Sequence, residues 1–337
     1  MFSDDIAVDL GTANTLIHVG GRGIVIDEPS LIAVRLEGSV RDVMGVGKAA
    51  EIAISRSPER LEGIRPLKDG VIADFAAAEE MLRQFLKRTK TMLGFRSPRV
   101  LVSVPAGATP VDRRTIRETV QSVGARKVHM VEEPVAASIG AGLPIESPGA
   151  YMVIDIGGGT TDIAVLSRGL VVQSRSLKCA GNAMDEAIVR FVHREHRLLI
   201  GAAKAERIKV AAGSAQPETR RRAEIKLRGR DTVTGAEKAV ALTPRDVARA
   251  LAGPVEQIAD FLARALVDLP VDQAADVRQR GLYLSGGGGQ LNGLAQELER
   301  RLGIGVELTT SPMHCVVAGS AAILADLAKY RQLLIAS

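Results

Sequence analysis

The 337-residue chain is 46% hydrophobic and 25% charged, the balance of a soluble globular protein, and it is long enough for two domains with separate cores. No run approaches the ~20 apolar residues of a membrane span, and Met1-Phe2-Ser3-Asp4-Asp5 has neither region of a secretion signal; Cys179 and Cys315 lack metal-ligand spacing and read as core thiols, so a cytoplasmic protein is expected. The net charge of +5 is modest, and the basic runs Lys87-Arg88-Thr89-Lys90, Arg113-Arg114 and Arg220-Arg221-Arg222 have no interleaved aromatics for stacking bases, so nucleic acid is not expected as a partner.

Along the chain, Asp5 to about Val46 is strand-rich, with a first Gly-containing turn at Asp9-Leu10-Gly11-Thr12-Ala13-Asn14-Thr15. A helix is expected over Ala49–Arg56, and an amphipathic one over Ala76–Arg88, with acids early and bases late as the helix dipole favours. Val100–Val104 reads as a buried strand, and the helix Val111–Val123 closes at Gly124. Pro134, taken as the first helical residue, puts Glu133 at the N-cap of a helix Val135–Ala141. A second Asp-Gly turn, Asp155-Ile156-Gly157-Gly158-Gly159-Thr160-Thr161, opens a strand-rich stretch to about Leu177. Helices Asn182–Leu199 and Ala202–Ala212 follow, then an Arg-rich strand pair over Arg222–Leu242. Thr243-Pro244 starts another helix, with Thr as cap. The strand Gly281–Ser285 runs into Gly286-Gly287-Gly288-Gly289 and a helix Leu291–Leu302.

The two Asp-Gly segments share one plan: apolar strand, Asp at the bend, Gly, hydroxyl side chains. Glycine lets backbone N–H groups approach an oxyanion, the hydroxyls add donors, and an Asp can hold a hydrated divalent cation. Either segment alone is an ordinary hairpin with a turn Asp. Their duplication predicts two related α/β domains facing a cleft, with both hairpins clamping a nucleoside triphosphate. Two buried acids repel without a cation, so a metal between Asp9 and Asp155 is expected.

Six segments in order, DLGTANT (Asp9–Thr15), DGVIADF (Asp69–Phe75), VEEPVAASIGAGLP (Val131–Pro144), DIGGGTTDIAV (Asp155–Val165), AERIK (Ala205–Lys209) and LSGGGGQLNGL (Leu284–Leu294), resemble the MreB family. These are bacterial actin homologues of the actin, heat-shock-70 and sugar-kinase superfamily. The resemblance implies an α/β, actin-like (ribonuclease-H-like) fold. Domain I would span 1–145 plus 317–337, with a small subdomain at about 32–70. Domain II would span 146–316, with one at about 182–245. It implies ATP or ADP with Mg²⁺, held through water by Asp9 and Asp155. Glu133 would orient or deprotonate the attacking water, with Glu132 or a plain capping role as the alternatives. Gly11, Thr12, Ala13, Asn14, Thr15, Gly157, Gly158, Gly159, Thr160 and Thr161 would cradle the phosphates. Glu206 and Lys209, otherwise a surface salt bridge, would reach the ribose and the adenine edge, and Gly286, Gly287 and Gly288 would pack on the nucleoside.

Three positions depart from the family pattern. Asp162 stands where many relatives carry Glu, Asn182 replaces an acid, and Val317–Ala321 lacks the usual bases. Met92, Leu93 and Phe95, flanked by Lys87, Arg88, Lys90 and Arg96, match a loop that inserts into the membrane in the family; a core-capping role is the alternative. The resemblance implies an ATP-hydrolysing protein that polymerises with copies of itself under the cytoplasmic membrane. There it would direct cell-wall synthesis that maintains a rod shape, with cell-wall elongation and membrane-anchor proteins as partners. The alternatives are a filament that positions an organelle or plasmid, and a small-molecule kinase, for which the segment between the hairpins leaves little room.

Overall fold

Ile6, Ala7 and Val8 are buried on both faces of their strand, as a central strand covered on both sides requires. The computed structural model describes residues 5–37, 40–89, 97–216 and 224–336; Met92, Leu93, Phe95 and the run Arg220–Arg222 lie outside them. The first half contains β1 (Ile6–Leu10), β2 (Asn14–Val19), β3 (Gly23–Pro29), β4 (Ile32–Glu37), β5 (Val40–Val46), α1 (Lys48–Arg56), β6 (Glu62–Ile64), β7 (Leu67–Lys68) and β8 (Val71–Ile72). It continues with α2 (Phe75–Thr89), β9 (Arg99–Val104), α3 (Pro110–Ser122), β10 (Lys127–Glu132) and α4 (Glu133–Gly140). The second half contains β11 (Ala150–Ile156), β12 (Thr161–Ser167), β13 (Leu170–Leu177), α5 (Gly181–His196), β14 (Leu198–Leu199), α6 (Ala202–Ala212), β15 (Ile225–Asp231) and β16 (Glu237–Leu242). Then come α7 (Pro244–Val267), α8 (Val271–Arg280), β17 (Leu282–Ser285), α9 (Leu294–Leu302), β18 (Val306–Leu308) and α10 (Cys315–Ala325).

The duplication read from the two hairpins extends to whole sheets. Among the described residues, one five-stranded sheet has the order β10-β9-β1-β2-β3 and the other β18-β17-β11-β12-β13. In both, the first strand pairs antiparallel with the second and parallel with the fourth. Two three-stranded sheets, β5-β4-β6 and β14-β15-β16, are inserted one into each half. One core, including Ile17, Met81, Phe85 and Ile116, lies under the first large sheet, and another, including Met184, Leu251, Ile258 and Leu262, under the second. A third joins Leu101 and Val131 to Val153 and Leu166 through α4 and α10, so the two sheets are tied back to back by these helices. Their crossing is close: a Cβ on Gly140 would stand 1.9 Å from the Cys315 carbonyl oxygen, and one on Gly319 1.8 Å from that of Ala136. After α10 the chain returns to the first sheet, where the Ile335 N–H donates to the Met130 carbonyl at 2.9 Å. No described helix is long and apolar enough to cross a membrane.

Several element boundaries differ from the sequence reading. The helix expected to reach Leu199 stops at His196, because Arg197 turns left-handed (φ 52°) and Leu198–Leu199 pairs with β15 instead. The helix expected from Leu291 starts at Leu294, after Gly293 at φ 73°; the glycine run forms a 3-10 turn, Gly288–Gln290, of its own. Neither Asp sits at its bend: Asp9 and Asp155 are the penultimate residues of β1 and β11. Pro134 is the second residue of α4, so Glu133 is the first and Glu132 the cap; the missing N–H of proline is tolerated equally at either position, since neither has an intrahelical partner. Thr243 caps α7 as expected, in a capping box with Asp246.

Candidate functional site

The C-terminal ends of β1, β11 and β17 and the start of α4 converge on a cleft of about 500 Å³ between the two large sheets. Open α/β sheets bind ligands at such strand ends. Its lining includes Asp9, Gly11, Thr12, Ala13, Asn14, Glu133, Asp155, Gly157, Gly158, Gly159 and Thr160, with Glu206, Lys209, Gly286, Gly287 and Gly288 at the far end. The two hairpins touch tip to tip. A Cβ on Gly158 would stand 2.8 Å from the Ala13 Cβ, and one on Gly159 2.7 Å from the Asp69 Cα, so side chains are excluded where the halves meet.

The turns hold their shape through hydrogen bonds that leave other groups facing the cleft. The Gly157 N–H donates to the Thr160 carbonyl at 2.9 Å, and the Gly70 N–H donates to Thr12 Oγ1 at 2.8 Å. Thr15 and Thr161, expected to cradle phosphates, do not line the cleft. Both are fully buried at equivalent ladder positions: Thr15 Oγ1 is 2.8 Å from Ser30 Oγ, and Thr161 Oγ1 donates to the Cys179 carbonyl at 2.7 Å. Their hydroxyls brace the hairpins from behind, because the strand alternation that aims the preceding residue into the cleft aims these away from it.

Three carboxylates, Asp9, Glu133 and Asp155, line the floor, and a fourth, Asp162, is fully buried behind it. Asp9 accepts a hydrogen bond from Ser103 Oγ at 3.1 Å, yet burial pushes its pKa up to about 6. Burial, then the charges of Asp9 and Asp162, push Asp155 to about 8, and its Oδ1 has no partner. Glu133, 8% exposed, is held well above the usual carboxylate range by burial and by Asp162, Asp9 and Asp155. Asp162 is raised by burial and accepts the Ala106 N–H at 2.9 Å. Among the described residues no three acidic, imidazole or thiol groups close on one point as a direct chelating set. Two facing carboxylates with an unpartnered buried oxygen fit a hydrated cation, held through its water shell.

At the far end, Lys209 Nζ lies 2.9 Å from the Asp185 carboxylate and donates to the Gly181 carbonyl at 3.0 Å, while Glu206 one turn earlier lines the same wall. Burial lifts Asp185 to about 6 against the pull of Lys209. Pro312, Met313 and Val316 form an apolar wall opposite, and Gly286, at φ 82°, allows close approach: a Cβ there would stand 2.3 Å from the Ile156 carbonyl oxygen. Sequence reasoning missed the Asp185–Lys209 pair, this wall, and Gly70 and Asn182 in the lining. The spacing of Asp185 from Asn182, one helical turn, was the available signal for that pair.

The comparisons with known proteins agree with this geometry. The MreB/Mbl protein family matches residues 3–332. The cell shape-determining protein MreB of Escherichia coli (strain K12) is 47% identical over 322 residues, covering 95% of this chain and 92% of that protein. The cell shape-determining protein Mbl of Bacillus subtilis (strain 168) is 42% identical, covering 98% of each. Among solved structures, MreB5 of Spiroplasma citri bound to AMPPNP superposes with a TM-score of 0.90 at 32% identity over 97% of both chains. A MamK double helical filament, at 20% identity and a TM-score of 0.79, shares the fold. The fold is actin-like, and the chain belongs to the MreB/Mbl family.

Proposed function

We propose that the cleft binds ATP with Mg²⁺ and hydrolyses it, and that this cycle drives copies of the chain to assemble into filaments at the inner face of the cytoplasmic membrane. There they guide cell-wall synthesis and maintain a rod shape. The observation that carries the reading is the meeting of Asp9, Asp155 and Glu133, from three separate elements, at the floor of one cleft. Relatives named for cell-shape determination, and MreB5 structures bound to AMPPNP and to ADP, support it. The domain division expected from the sequence, 1–145 plus 317–337 and 146–316, follows from the same reading.

The chemistry follows from the side chains. The turn N–H groups of Gly11–Asn14 and Gly158–Thr160, with the Thr12 hydroxyl, bind and orient the phosphates. Asp9 and Asp155 hold Mg²⁺ through water, and when bound the ion neutralises charge developing on the β- and γ-phosphates. Glu133 at the start of α4 accepts a proton from the attacking water as its oxygen bonds to the γ-phosphorus. The bond from that phosphorus to the β–γ bridging oxygen breaks, releasing ADP and inorganic phosphate. Lys209 and Glu206 face the ribose, and Met313, Val316 and the glycine turn enclose the base. Loss of the γ-phosphate changes how the two halves are held across the cleft, which weakens subunit contacts. Met92, Leu93 and Phe95 anchor the filament on the lipid.

Light scattering and electron microscopy on anionic liposomes, with and without ATP and Mg²⁺, test the reading. Assembly with ATP is expected, and Glu133→Gln is expected to bind ATP while turnover falls at least about 100-fold. ATP turnover without assembly at any concentration or on any lipid surface would sink the filament, and phosphorylation of a hexose would replace it with a kinase.

A further inference from the structure

A second concave surface lies outside the nucleotide cleft, against the small sheet of the second half. It encloses about 620 Å³ between α6, β15 and β16. Four cations stand on its wall, Lys204 and Arg207 from α6 and Lys226 and Arg228 from β15, and no described lining residue is acidic. Arg207 and Lys226 are exposed and have no ion partner among the described residues, while Arg228 reaches only exposed Glu237, at 3.7 Å. Between the cations the lining is apolar: Ile208 and Leu227 are buried, and Ala239 and Ala241 keep β16 low. Like charges gathered on an apolar groove raise the local concentration of an anionic partner.

The backbone is open at the same place. Successive residues of a strand turn their N–H and C=O groups to opposite edges. The Asp231 N–H donates to the Ala236 carbonyl on the β16 side, and the Thr232 N–H to the Arg197 carbonyl on the β14 side, both at 2.9 Å. Even-numbered residues of β15 therefore face the β14 edge. β14 is two residues long and reaches only Arg230 and Asp231. At Arg228 a side chain takes the place of a strand, with Lys204 Nζ donating to its carbonyl at 2.6 Å. Among the described residues no strand continues this edge past Lys226.

We propose that the groove binds an acidic, extended segment of a partner protein, which prolongs the line of β14 along Arg228 and Lys226. Side chains of an added strand alternate between two faces. Acids on one face meet Lys226 and Arg228, and apolar residues on the other meet Ile225, Leu227 and Ile208. An incoming N–H takes over the Arg228 carbonyl, which frees Lys204 for a carboxylate, with Arg207 one turn further along α6. A peptide suits this surface better than other polyanions. No aromatic residue among the described lining stacks bases, and a lipid surface is met by protruding apolar side chains rather than by a concave floor. The proposal is independent of the nucleotide reading.

The probe is a fluorescein-labelled peptide of alternating Glu and Val, about six residues long, titrated with the full chain and read by anisotropy. Saturable binding that weakens with added salt is expected, with none for the matching Lys and Val peptide. The pair Arg207→Glu and Lys226→Glu should weaken it at least about tenfold while ATP affinity, the sign of an intact fold, stays at the wild-type value. Backbone pairing is read without any variant. N-methylation of one alternate set of peptide amides should abolish binding and of the other set should not, and hydrogen exchange at Lys226 and Arg228 should slow. No saturable binding, equal affinity for the two N-methylated sets, or an unchanged affinity in the double variant would overturn the inference. If that variant does not fold, the N-methylated peptides decide. Displacement of the peptide by vesicles of equal parts phosphatidylglycerol and phosphatidylcholine, or by an oligonucleotide, through the same two cations would replace the peptide with that polyanion. Assembly lost in the double variant with no peptide present would make the groove a contact between copies and refute an outside partner.

Discussion

The crossing of α4 and α10 converts directly into a stability prediction. Gly140→Ala adds a methyl 1.9 Å from the Cys315 carbonyl oxygen and 2.8 Å from the Gly319 N, both backbone atoms that cannot rotate away. A carbon–oxygen contact relaxes only beyond ~3.3 Å, so the helices must part by about 1.5 Å. Alanine gains about 1 kcal/mol of helix propensity over glycine, whereas overpacking against backbone costs about 3 kcal/mol or more. The net loss is about 2 kcal/mol, a fall in Tm of about 4 °C. The displacement reaches the cleft at both ends, since α4 begins at Glu133 and Val316 of α10 lines the wall; nucleotide affinity falls with stability. Urea unfolding without nucleotide measures the first effect and ATP titration the second. Gly253→Ala, inside α7 with nothing within 4 Å of the added Cβ, is the control and should stabilise by up to about 1 kcal/mol. If Gly140→Ala behaves like the control, the close approach of the two helices is wrong.

Three further outcomes are expected. Asp155, at about 8, and Asp9, at about 6, keep protons in the folded chain that the unfolded chain has released, so stability without nucleotide or metal falls as pH rises from 4 to 8. The slope is about 1.4 kcal/mol per pH unit for each proton, and Asp155→Asn flattens it between pH 6 and 8; urea midpoints in EDTA that rise with pH would contradict the burial of these acids. Lys209→Met strands the Asp185 carboxylate and removes a cation from the cleft wall, so nucleotide affinity should fall about tenfold with little change in single-turnover cleavage. Equal affinity would take Lys209 out of the nucleotide contacts. Thr243→Ala breaks the capping box of α7, far from the cleft, and should cost about 1 kcal/mol in urea unfolding without altering ATP affinity; a parallel loss of affinity would tie α7 to the site.

Local chemistry was readable where the sequence repeats itself or uses special residues. The Asp-Gly hairpins, the Thr243 cap and the strand Val100–Val104 all rest on short-range rules, and the structure contains each. What the sequence left open depends on which way an element faces. Thr12 and Thr15 are indistinguishable as text, but Thr12 lies in the turn and lines the cleft, whereas Thr15 lies in β2 with its hydroxyl against Ser30. Glu206 and Lys209 read as a surface pair until Asp185, from another helix, meets the lysine. Helix ends moved for a similar reason. Residues 197–199 suit a helix locally, but pairing of Leu198–Leu199 with β15 outweighs that weak preference.

The duplicated halves also show where function departs from symmetry. Both supply an Asp-Gly hairpin, and the proposed metal clamp uses them alike. The first half runs straight from β10 into α4, so strand and helix deliver Glu133 to the floor with no loop between them. In the second half, residues 309–314 separate β18 from α10, and that excursion brings Pro312 and Met313 to the cleft instead of a carboxylate. The second hairpin in turn carries Asp162 where the first carries Leu16. In the proposed function, proton acceptance by Glu133 falls to the first half and base enclosure to the second. On that proposal hydrolysis requires both halves to be closed on the nucleotide, so that cleavage would report the conformation a filament selects.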